Sequence, residues 1–206
     1  RAMAWPRIGD AYFDVIQNSL RVSNDRRSST GPREVGPASS LPELCLDHLL
    51  RLTDDTGIIQ HATYSVPARR SGYCVDDNAR ALIVAVQADR VSVSVETRSL
   101  VTRYLSYLHG SQNPDGTFGN FMSYERVLEP APPSDDCVGR AIWALGVTAE
   151  FAEDQGCRAL ARDMLRRALP HANALGPRGT AQAILGLVSM IDADPGATDV
   201  RCMLEA

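Results

Sequence analysis

The stretch Asp55-Thr-Gly-Ile-Ile-Gln-His-Ala-Thr-Tyr64 runs on to Cys74-Val-Asp-Asp-Asn-Ala-Arg-Ala81, and both segments return sixty positions later. The second copy reads Asp115-Gly-Thr-Phe-Gly-Asn-Phe-Met-Ser-Tyr124 and then Asp135-Asp-Cys-Val-Gly-Arg-Ala141. The copies align without a gap and share identical residues at five positions: Asp55/Asp115, Tyr64/Tyr124, Asp76/Asp136, Arg80/Arg140 and Ala81/Ala141. A fixed period of this length predicts a repeated supersecondary unit, because one copy cannot bury its apolar face alone and stacks on the next.

The composition is that of an ordinary globular chain. Its 206 residues are 44% hydrophobic and 22% charged, with a net charge of −4. This length suffices for one sizeable core, since domains usually have about 100–200 residues. A chain without an excess of Lys and Arg has no basic field to attract nucleic acid or anionic lipid, so we expect neither as a partner.

The five cysteines, at positions 45, 74, 137, 157 and 202, form no CxxC pair and are odd in number. This pattern favours neither a zinc site nor a disulfide framework, and it predicts a cytoplasmic chain without a metal or other cofactor. No apolar run approaches the roughly 20 residues that a bilayer span requires. The chain has no initiating Met and stops inside a helical pattern, so we expect an excerpt of a longer protein.

Three regions follow along the chain. Residues 1–22 carry apolar side chains at a helical period, with Pro6 in the first turn, where its missing N–H costs nothing. Residues 23–40 are rich in Ser, Gly and Pro and predict a linker. Residues 41–206 contain the repeats. The predicted helices there span 41–52, 78–89, 100–109, 138–151, 159–169 and 179–191, with extended inserts at 58–66 and 118–124.

Amphipathic helices alternate with helices that are apolar on nearly every side. Helices of the second kind are buried helices. This alternation predicts an all-α fold, an (α/α) toroid with inner and outer helices. About three hairpins are visible, so we expect the toroid to be incomplete in this chain. The alternative is an open α-solenoid, whose repeats are usually shorter and lack the long inserts.

Inner helices of a toroid run in the same direction, so the loops that enter them meet at one end. Asp76, Asp77, Asp135 and Asp136 open two such helices. Carboxylates facing one another across a cleft are suited to acid/base chemistry on a glycosidic bond, and we rank Asp77 and Asp135 first as catalytic residues. The candidate substrate-binding residues are the polar and aromatic side chains of the inserts, with two helix arginines: Gln60, His61, Tyr64, Asn120, Tyr124, Arg80 and Arg140.

The same residues also have plain structural explanations. An Asp at a helix start caps free N–H groups, and Asp76/Arg80, like Asp136/Arg140, have the i,i+4 spacing of an ion pair. Asp55 and Asp115 each lie near a Gly and are typical of tight turns. His61 aligns with Phe121, which favours a packing role, and Cys74 and Cys137 fit as small buried residues.

Two stretches carry a family resemblance. Gln112-Asn-Pro-Asp-Gly-Thr-Phe-Gly-Asn120 resembles the Gln-x-x-x-Gly-x-aromatic turn of α/α toroids, which include terpenoid cyclases, prenyltransferase β subunits and several glycoside hydrolases. The helix at 1–22, the linker, and Tyr73-Cys-Val-Asp-Asp-Asn-Ala-Arg80 with Asp136-Cys-Val-Gly-Arg-Ala-Ile-Trp143 resemble bacterial proteins in which a toroid domain follows a glycosyltransferase.

This resemblance implies a carbohydrate-active domain that acts on or binds a glycan and is attached to a glycosyltransferase domain in the same chain. The alternatives are a non-catalytic scaffold or glycan-binding module, and a terpenoid-cyclase-like toroid. The DxDD and DDxxD motifs typical of terpenoid chemistry are missing, and aromatic residues make up only 6% of the chain.

Overall fold

The computed structural model describes residues 44–130 and 134–205. The predicted helix at 1–22 and the predicted linker at 23–40 lie outside these residues. Within the described part, helices dominate and every strand has two residues, so the predicted all-α class is confirmed. No helix there combines the length and the hydrophobicity that crossing a membrane requires.

Seven helices and four short strands make up the described part. In chain order they are α1 (Asp47–Leu52), β1 (Ala62–Thr63), β2 (Val66–Pro67), β3 (Tyr73–Cys74), α2 (Val75–Val91), α3 (Val95–Ser111), β4 (Phe121–Met122), α4 (Asp135–Phe151), α5 (Gln155–Ala168), α6 (Pro177–Ala193) and α7 (Thr198–Glu205). Short 3-10 turns occupy Arg69–Ser71 and Leu169–Ala174.

Helices α2, α4 and α6 lie side by side and are parallel, with α4 in the middle. At the start of α2 and α4, Arg140 reaches Asp76, and at their ends the Arg90 guanidinium lies 3.9 Å from the centre of the Phe151 ring. The contacts between α4 and α6 also run in the same direction along both helices. The three helix starts therefore meet at one end of the layer.

A glycine seam brings the backbones of α4 and α6 into contact. Gly139 faces Gly179, and Gly146 faces Gly186. A Cβ atom on Gly146 would lie 2.0 Å from the carbonyl oxygen of Gly186, and one on Gly186 would lie 2.2 Å from that of Ile142. Since no side chain fits at such distances, only glycine permits this approach.

The other helices pack onto this layer and complete the core. Helix α3 contacts α2, α5 contacts α4, and α7 contacts α6. Tyr104 and Leu108 of α3 and Met164 and Leu165 of α5 are fully buried. The buried side chains of these helices form one continuous core. Burial of its apolar surface supplies most of the stability.

The predicted burial of helices that are apolar on every side holds fully for α4 and in part for α2 and α6. Helix α4 has neighbours on all sides and is almost entirely buried. Among the described elements, α2 and α6 each contact a single parallel helix, and Val84 of α2 and Ile184 and Val188 of α6 are exposed. Helix α4 is more buried than α2 and α6 because it lies between them. Hydrophobicity alone does not indicate which of the three helices is central.

The first insert differs from the single extended segment that the sequence predicts. Strands β1 and β2 pair antiparallel with Ala62 opposite Pro67, so residues 58–66 fold back on themselves. Tyr64 occupies the tip of this hairpin with a φ of +56°. The second insert is extended at β4, which pairs with β3 through Tyr73 opposite Met122. The backbone of one repeat is thereby attached to the insert of the next.

The two copies also differ by one residue in the turn before the insert. The bridge between Thr53 and Ile58 encloses four residues, whereas the bridge between Gln112 and Phe118 encloses five. The gapless alignment is therefore wrong at this turn, because the first copy lacks one position there.

Several helices begin at other residues than predicted. Helix α1 starts at Asp47, later than the predicted position 41, and its preceding residue provides no capping side chain. Helix α3 starts earlier than predicted, because Ser94 and Thr97 form a reciprocal capping box at its N-terminus. Helix α5 starts at Gln155, where the Asp154 carboxylate caps it.

Candidate functional site

The starts of α2, α4 and α6 form a rim of alternating carboxylates and guanidiniums. We define this acidic rim by four predicted catalytic residues and three arginines: Asp76, Asp77, Asp135, Asp136, Arg80, Arg140 and Arg178. Ion pairs and hydrogen bonds connect its members from one helix to the next. The structure thus brings the four carboxylates to the same end of the helix layer, as the parallel order of the helices requires.

Asp76 is the carboxylate with the fewest partners. Its Oδ1 atom is buried and accepts no hydrogen bond from a described residue, and the nearest cation is Arg140 Nη1 at 3.4 Å. Burial raises the pKa of Asp76 above its ordinary value, although the charges of Arg140 and Arg80 oppose this effect. The negative charges of Asp136 and Asp77 raise it further. A carboxyl group in this environment holds its proton more readily than an exposed Asp.

Asp77 has a partner on each oxygen. Arg80 Nη2 lies 2.6 Å from its Oδ1, and the Cys74 thiol donates to its Oδ2 over 3.0 Å. The pairing of Arg80 with Asp77 replaces the predicted i,i+4 pair of Arg80 with Asp76. Both partners belong to the same helix start, so Asp77 is held by local contacts.

Asp135 and Asp136 both contact the start of α6. The Gly176 amide donates to Asp135 Oδ2 over 2.8 Å, while Asp135 Oδ1 accepts no hydrogen bond from a described residue. Arg178 binds Asp136 with two nitrogens, Nε and Nη2. The i,i+4 spacing predicted that Asp136 pairs with Arg140, and the structure shows that Asp136 pairs with Arg178 instead. A cleft of about 290 Å³ lies between these two helix starts.

None of the four acidic residues caps its helix. The Cys74 sulfur accepts from the Asp77 amide at the start of α2, and the Ser134 hydroxyl accepts from the Cys137 amide at the start of α4. The predicted capping role of Asp76 and Asp136 is therefore wrong. Their charges lie in the first helical turn, where the positive end of the helix dipole still stabilises them.

Two ion pairs of the rim connect an Asp of one helix to an Arg of the next helix of the layer. Arg140 of α4 pairs with Asp76 of α2, and Arg178 of α6 pairs with Asp136 of α4. Asp76 and Asp136 are thus each paired with a guanidinium from the next helix of the layer. The sequence shows that Asp and Arg are four residues apart in both copies. It does not show whether the Arg pairs with the Asp of its own helix or with the Asp of a neighbouring helix.

The candidate binding residues of the first insert lie in exposed or half-buried positions. Gln60 is half-buried, and its backbone amide donates to the Gly72 carbonyl. His61 is exposed, so the predicted packing role is wrong for this side chain. Tyr64 is 98% exposed at the hairpin tip and contacts no other aromatic ring of the described residues.

The second insert places its two candidates closer to the core. Asn120 is buried, its carbonyl accepts from the Val75 amide, and its side-chain Oδ1 has no hydrogen-bond partner among the described residues. Tyr124 stacks on Tyr73 with ring centres 6.2 Å apart, and the Arg69 guanidinium lies 6.0 Å from the Tyr124 ring centre. Tyr124 is the better placed of the two duplicated tyrosines to present a ring face.

The turn residues are only partly those that the sequence indicated. Asp115 accepts from the Thr117 amide and hydroxyl, as expected of a turn residue. In the first copy Asp54 takes this role, while Asp55 pairs with Arg126 over 2.6 Å. Asp54 also accepts a hydrogen bond from the Tyr73 hydroxyl over 2.6 Å.

The two cysteines beside the acidic residues are inert by environment. Burial raises the pKa of Cys74 to about 12, and its hydrogen bond to Asp77 acts in the same direction. Burial likewise raises the pKa of Cys137, and the charge of Asp76 adds to it. Both thiols therefore stay protonated at neutral pH, which fits their predicted role as small buried residues. The described residues also contain no group of three or more potential ligands arranged around a metal ion.

Sequence reasoning missed Arg178 and the glycine seam. Arg178 lies outside the duplicated segments, and only its position directly after Pro177 at a helix start marks it as a residue near the rim. The seam had a visible signal, because Gly139 and Gly146 are seven residues apart and Gly179 and Gly186 repeat that spacing.

No protein-family model matches this chain, and a search of curated proteins finds no match to its sequence.

Proposed function

We propose that this chain is part of an α/α-toroid domain that binds a glycan at the acidic rim and acts on a glycosidic bond. Asp76 is the general acid in this proposal and Asp135 the carboxylate that acts as base. The proposal retains the expectation that the domain follows a bacterial glycosyltransferase in the same protein. The parallel arrangement of α2, α4 and α6 supports the toroid architecture, because inner helices of a toroid share one direction.

The state of Asp76 is the observation on which the proposal depends. An acid catalyst needs a carboxyl group that keeps its proton near the working pH, and burial moves the pKa of Asp76 in that direction. The Oδ1 atom of Asp76 accepts no hydrogen bond from a described residue, and the charge of Arg140 opposes the effect of burial without cancelling it. Asp77, which the sequence ranked higher, is bound on both oxygens.

Asp135 is the second carboxylate of the proposal, because one of its oxygens remains available. The Gly176 amide holds Oδ2, Oδ1 accepts no hydrogen bond from a described residue, and Asp135 lines the cleft between α4 and α6. Asp136 is less suited, since Arg178 binds both of its oxygens. Two carboxyl groups with different environments are the usual requirement for glycoside hydrolysis.

The test measures turnover and binding separately. The full chain is incubated with a panel of oligosaccharides of different linkages, new reducing ends are quantified, and binding is followed by saturation-transfer NMR. We expect Asp76→Asn to reduce turnover at least about 100-fold with binding retained, since general acid catalysis contributes about that much. Asp163→Asn, an exposed change of equal charge on α5, should leave both unchanged. Full turnover by Asp76→Asn refutes the catalytic assignment.

A non-catalytic glycan-binding module is the second candidate. The observation that favours it is the engagement of Asp77, Asp135 and Asp136, each of which already accepts a hydrogen bond within the rim. Carboxylates held in this way stabilise the helix starts without taking part in chemistry. Binding of an oligosaccharide without turnover by the unmodified chain would select this candidate, and absence of binding would contradict both.

A further inference from the structure

A second cleft lies at the opposite end of the helix layer from the acidic rim. Its volume is about 340 Å³, and it lies between the last turns of α2, the first half of α3 and the turn that connects α4 to α5. This is near the lower limit of the 300–1,000 Å³ that small-molecule sites usually have. The cleft therefore has room for a small ligand and shares no residue with the rim.

Asp89 gives the cleft its chemical character. This residue is only 4% exposed, yet it lines the cleft. The Thr97 hydroxyl donates to its Oδ1, and Thr97 is itself fixed by the capping box with Ser94. Asp89 forms no ion pair with a described residue, and its Oδ2 accepts no hydrogen bond from one. Asp89 Oδ2 is not sealed from the surface, so it is available from the cleft to a positively charged group.

The neighbouring arginines are engaged elsewhere or lie at the edge. Arg90 lies over the Phe151 ring, and the Nε atom of Arg158 donates to the Ala152 carbonyl. Arg98 lines the cleft but is exposed and forms no ion pair within the described residues. None of the three neutralises Asp89.

Two further acidic residues and an apolar wall complete the cleft. Asp154 and Glu153 line it together with Val101 and Ala152. The Cys157 amide donates to Asp154 Oδ1, and this hydrogen bond lowers the pKa of Asp154, so its carboxylate stays ionised at neutral pH. The lining thus combines an excess of negative charge with an apolar surface.

We propose that this cleft binds a small aliphatic primary amine. The ammonium group donates to Asp89 Oδ2, and the alkyl chain packs on Val101 and Ala152. If the ligand has a second ammonium group, the carboxylates of Glu153 and Asp154, which also line the cleft, bind it. A bare metal ion is a poorer fit, because the described residues hold no group of three potential ligands around one point.

Putrescine, an aliphatic diamine, is the probe for this proposal, and butane-1,4-diol is its neutral counterpart. Binding to the full chain is measured by isothermal titration calorimetry and by the increase in Tm. We expect putrescine to bind and butane-1,4-diol not to bind. Asp89→Asn should weaken putrescine binding at least about tenfold, the usual effect of losing one charged hydrogen bond. Asp163→Asn, which removes an equal charge from an exposed site on α5, should bind as the unmodified chain does.

Thr102→Lys is the second variant, because Asp89→Asn changes a buried residue. Thr102 lines the cleft but is exposed, so this change leaves the core intact. The introduced ammonium group occupies the acidic cleft, and putrescine binding should be lost while the far-UV circular dichroism stays unchanged. The proposal is overturned if butane-1,4-diol binds as well as putrescine, if putrescine does not bind to the unmodified chain, or if Thr102→Lys and Asp89→Asn both bind putrescine with unchanged affinity.

Discussion

The starts of α2 and α4 carry the same Asp, Arg and Ala of the repeat and have different contacts. Asp76 and Asp136 occupy the same position of the repeat, yet Asp76 lies 3.4 Å from one nitrogen of Arg140, whereas Arg178 binds Asp136 through two. Arg80 pairs within its own helix, and Arg140 pairs across to the previous one. The repeat thus places an Asp and an Arg at the same positions of both helices. The next helix of the layer determines which residue each Asp contacts.

The same contrast holds for the packing of the parallel helices. Gly139 and Gly146 of α4 align with Ala79 and Val86 of α2. Side chains separate α2 from α4, whereas the α4 and α6 backbones touch along the glycine seam. A duplicated helix can therefore join its two neighbours at two different spacings, and four glycines account for the closer one.

The largest effect is expected when Gly146 of α4 is replaced by valine, the residue that α2 has at the equivalent position, Val86. Gly146→Val introduces a Cβ atom that would lie 2.0 Å from the Gly186 carbonyl oxygen. The helices must separate, so we expect a loss of at least about 3 kcal/mol in the free energy of unfolding, or no folded protein. Gly110→Ala is the control, because nothing lies within 4 Å of its Cβ position, and it should gain about 0.5–1 kcal/mol. Urea unfolding measures both, and a folded Gly146→Val variant of unchanged stability would contradict the seam.

The duplicated arginines offer the second test. Arg140→Met removes the cation nearest the half-buried Asp76, and we expect a loss of about 1–2 kcal/mol at a pH where Asp76 is ionised, between the values for exposed and fully buried pairs. Arg80→Met removes an exposed partner of Asp77 and should cost no more than about 0.5 kcal/mol. Denaturant unfolding at that pH compares the two variants. Equal losses would mean that Arg140 pairs locally, as the i,i+4 spacing suggested.

The sequence was informative where the cause is local. The 3.6-residue period placed most helices, since apolar residues at that spacing form one face of a helix. The acidic residues at 76–77 and 135–136 were correctly placed in the first turns of α2 and α4. The turn role of Asp115 followed from its position beside Gly116, because short-range hydrogen bonds alone create that turn.

The sequence was uninformative where the cause is a neighbour distant along the chain. Arg178 contacts Asp136, and β3 pairs with β4, through contacts that only the packed helices create. The two ends of α2 illustrate the limit, because the half-buried Asp76 and the buried Asp89 are both acids in one apolar helix and no local pattern separates their roles. The predicted active site drew on the duplicated acids, and Asp89 was overlooked since α4 has Ala149 at the equivalent position.

The duplicated tyrosines should differ by a smaller amount. Tyr124→Ala removes a ring that stacks on Tyr73, and we expect a loss of about 1 kcal/mol. Tyr64→Ala removes a ring that is 98% exposed and should change the free energy of unfolding by less than about 0.5 kcal/mol. Unfolding curves of both variants measure the difference. A larger loss for Tyr64→Ala would show that the insert of the first copy packs more tightly than its exposure indicates.

The smallest expected effect is a pair of pH dependences with opposite signs. The pKa of Asp76 is raised by burial, so the native state binds this proton more tightly than the unfolded chain does. The contribution of Asp76 to stability therefore falls as the pH rises from about 3.8 to its folded pKa and is constant above. Hydrogen bonds from the Thr117 hydroxyl and amide lower the pKa of Asp115, so its contribution is present above about 3.8 and is lost as the pH falls through its folded pKa.

Asp76→Asn and Asp115→Asn remove the same charge and separate these two signs. The free energy of unfolding is measured from pH 3 to pH 7 for both variants and for the unmodified chain. Relative to Asp76→Asn, the unmodified chain should lose stability as the pH rises above about 4, and relative to Asp115→Asn it should gain stability as the pH rises towards about 4. Slopes of the same sign would mean that the charge of Arg140 outweighs burial and lowers the pKa of Asp76. In that case the proposed general acid would be ionised at neutral pH, and the rim would be left with a structural role only.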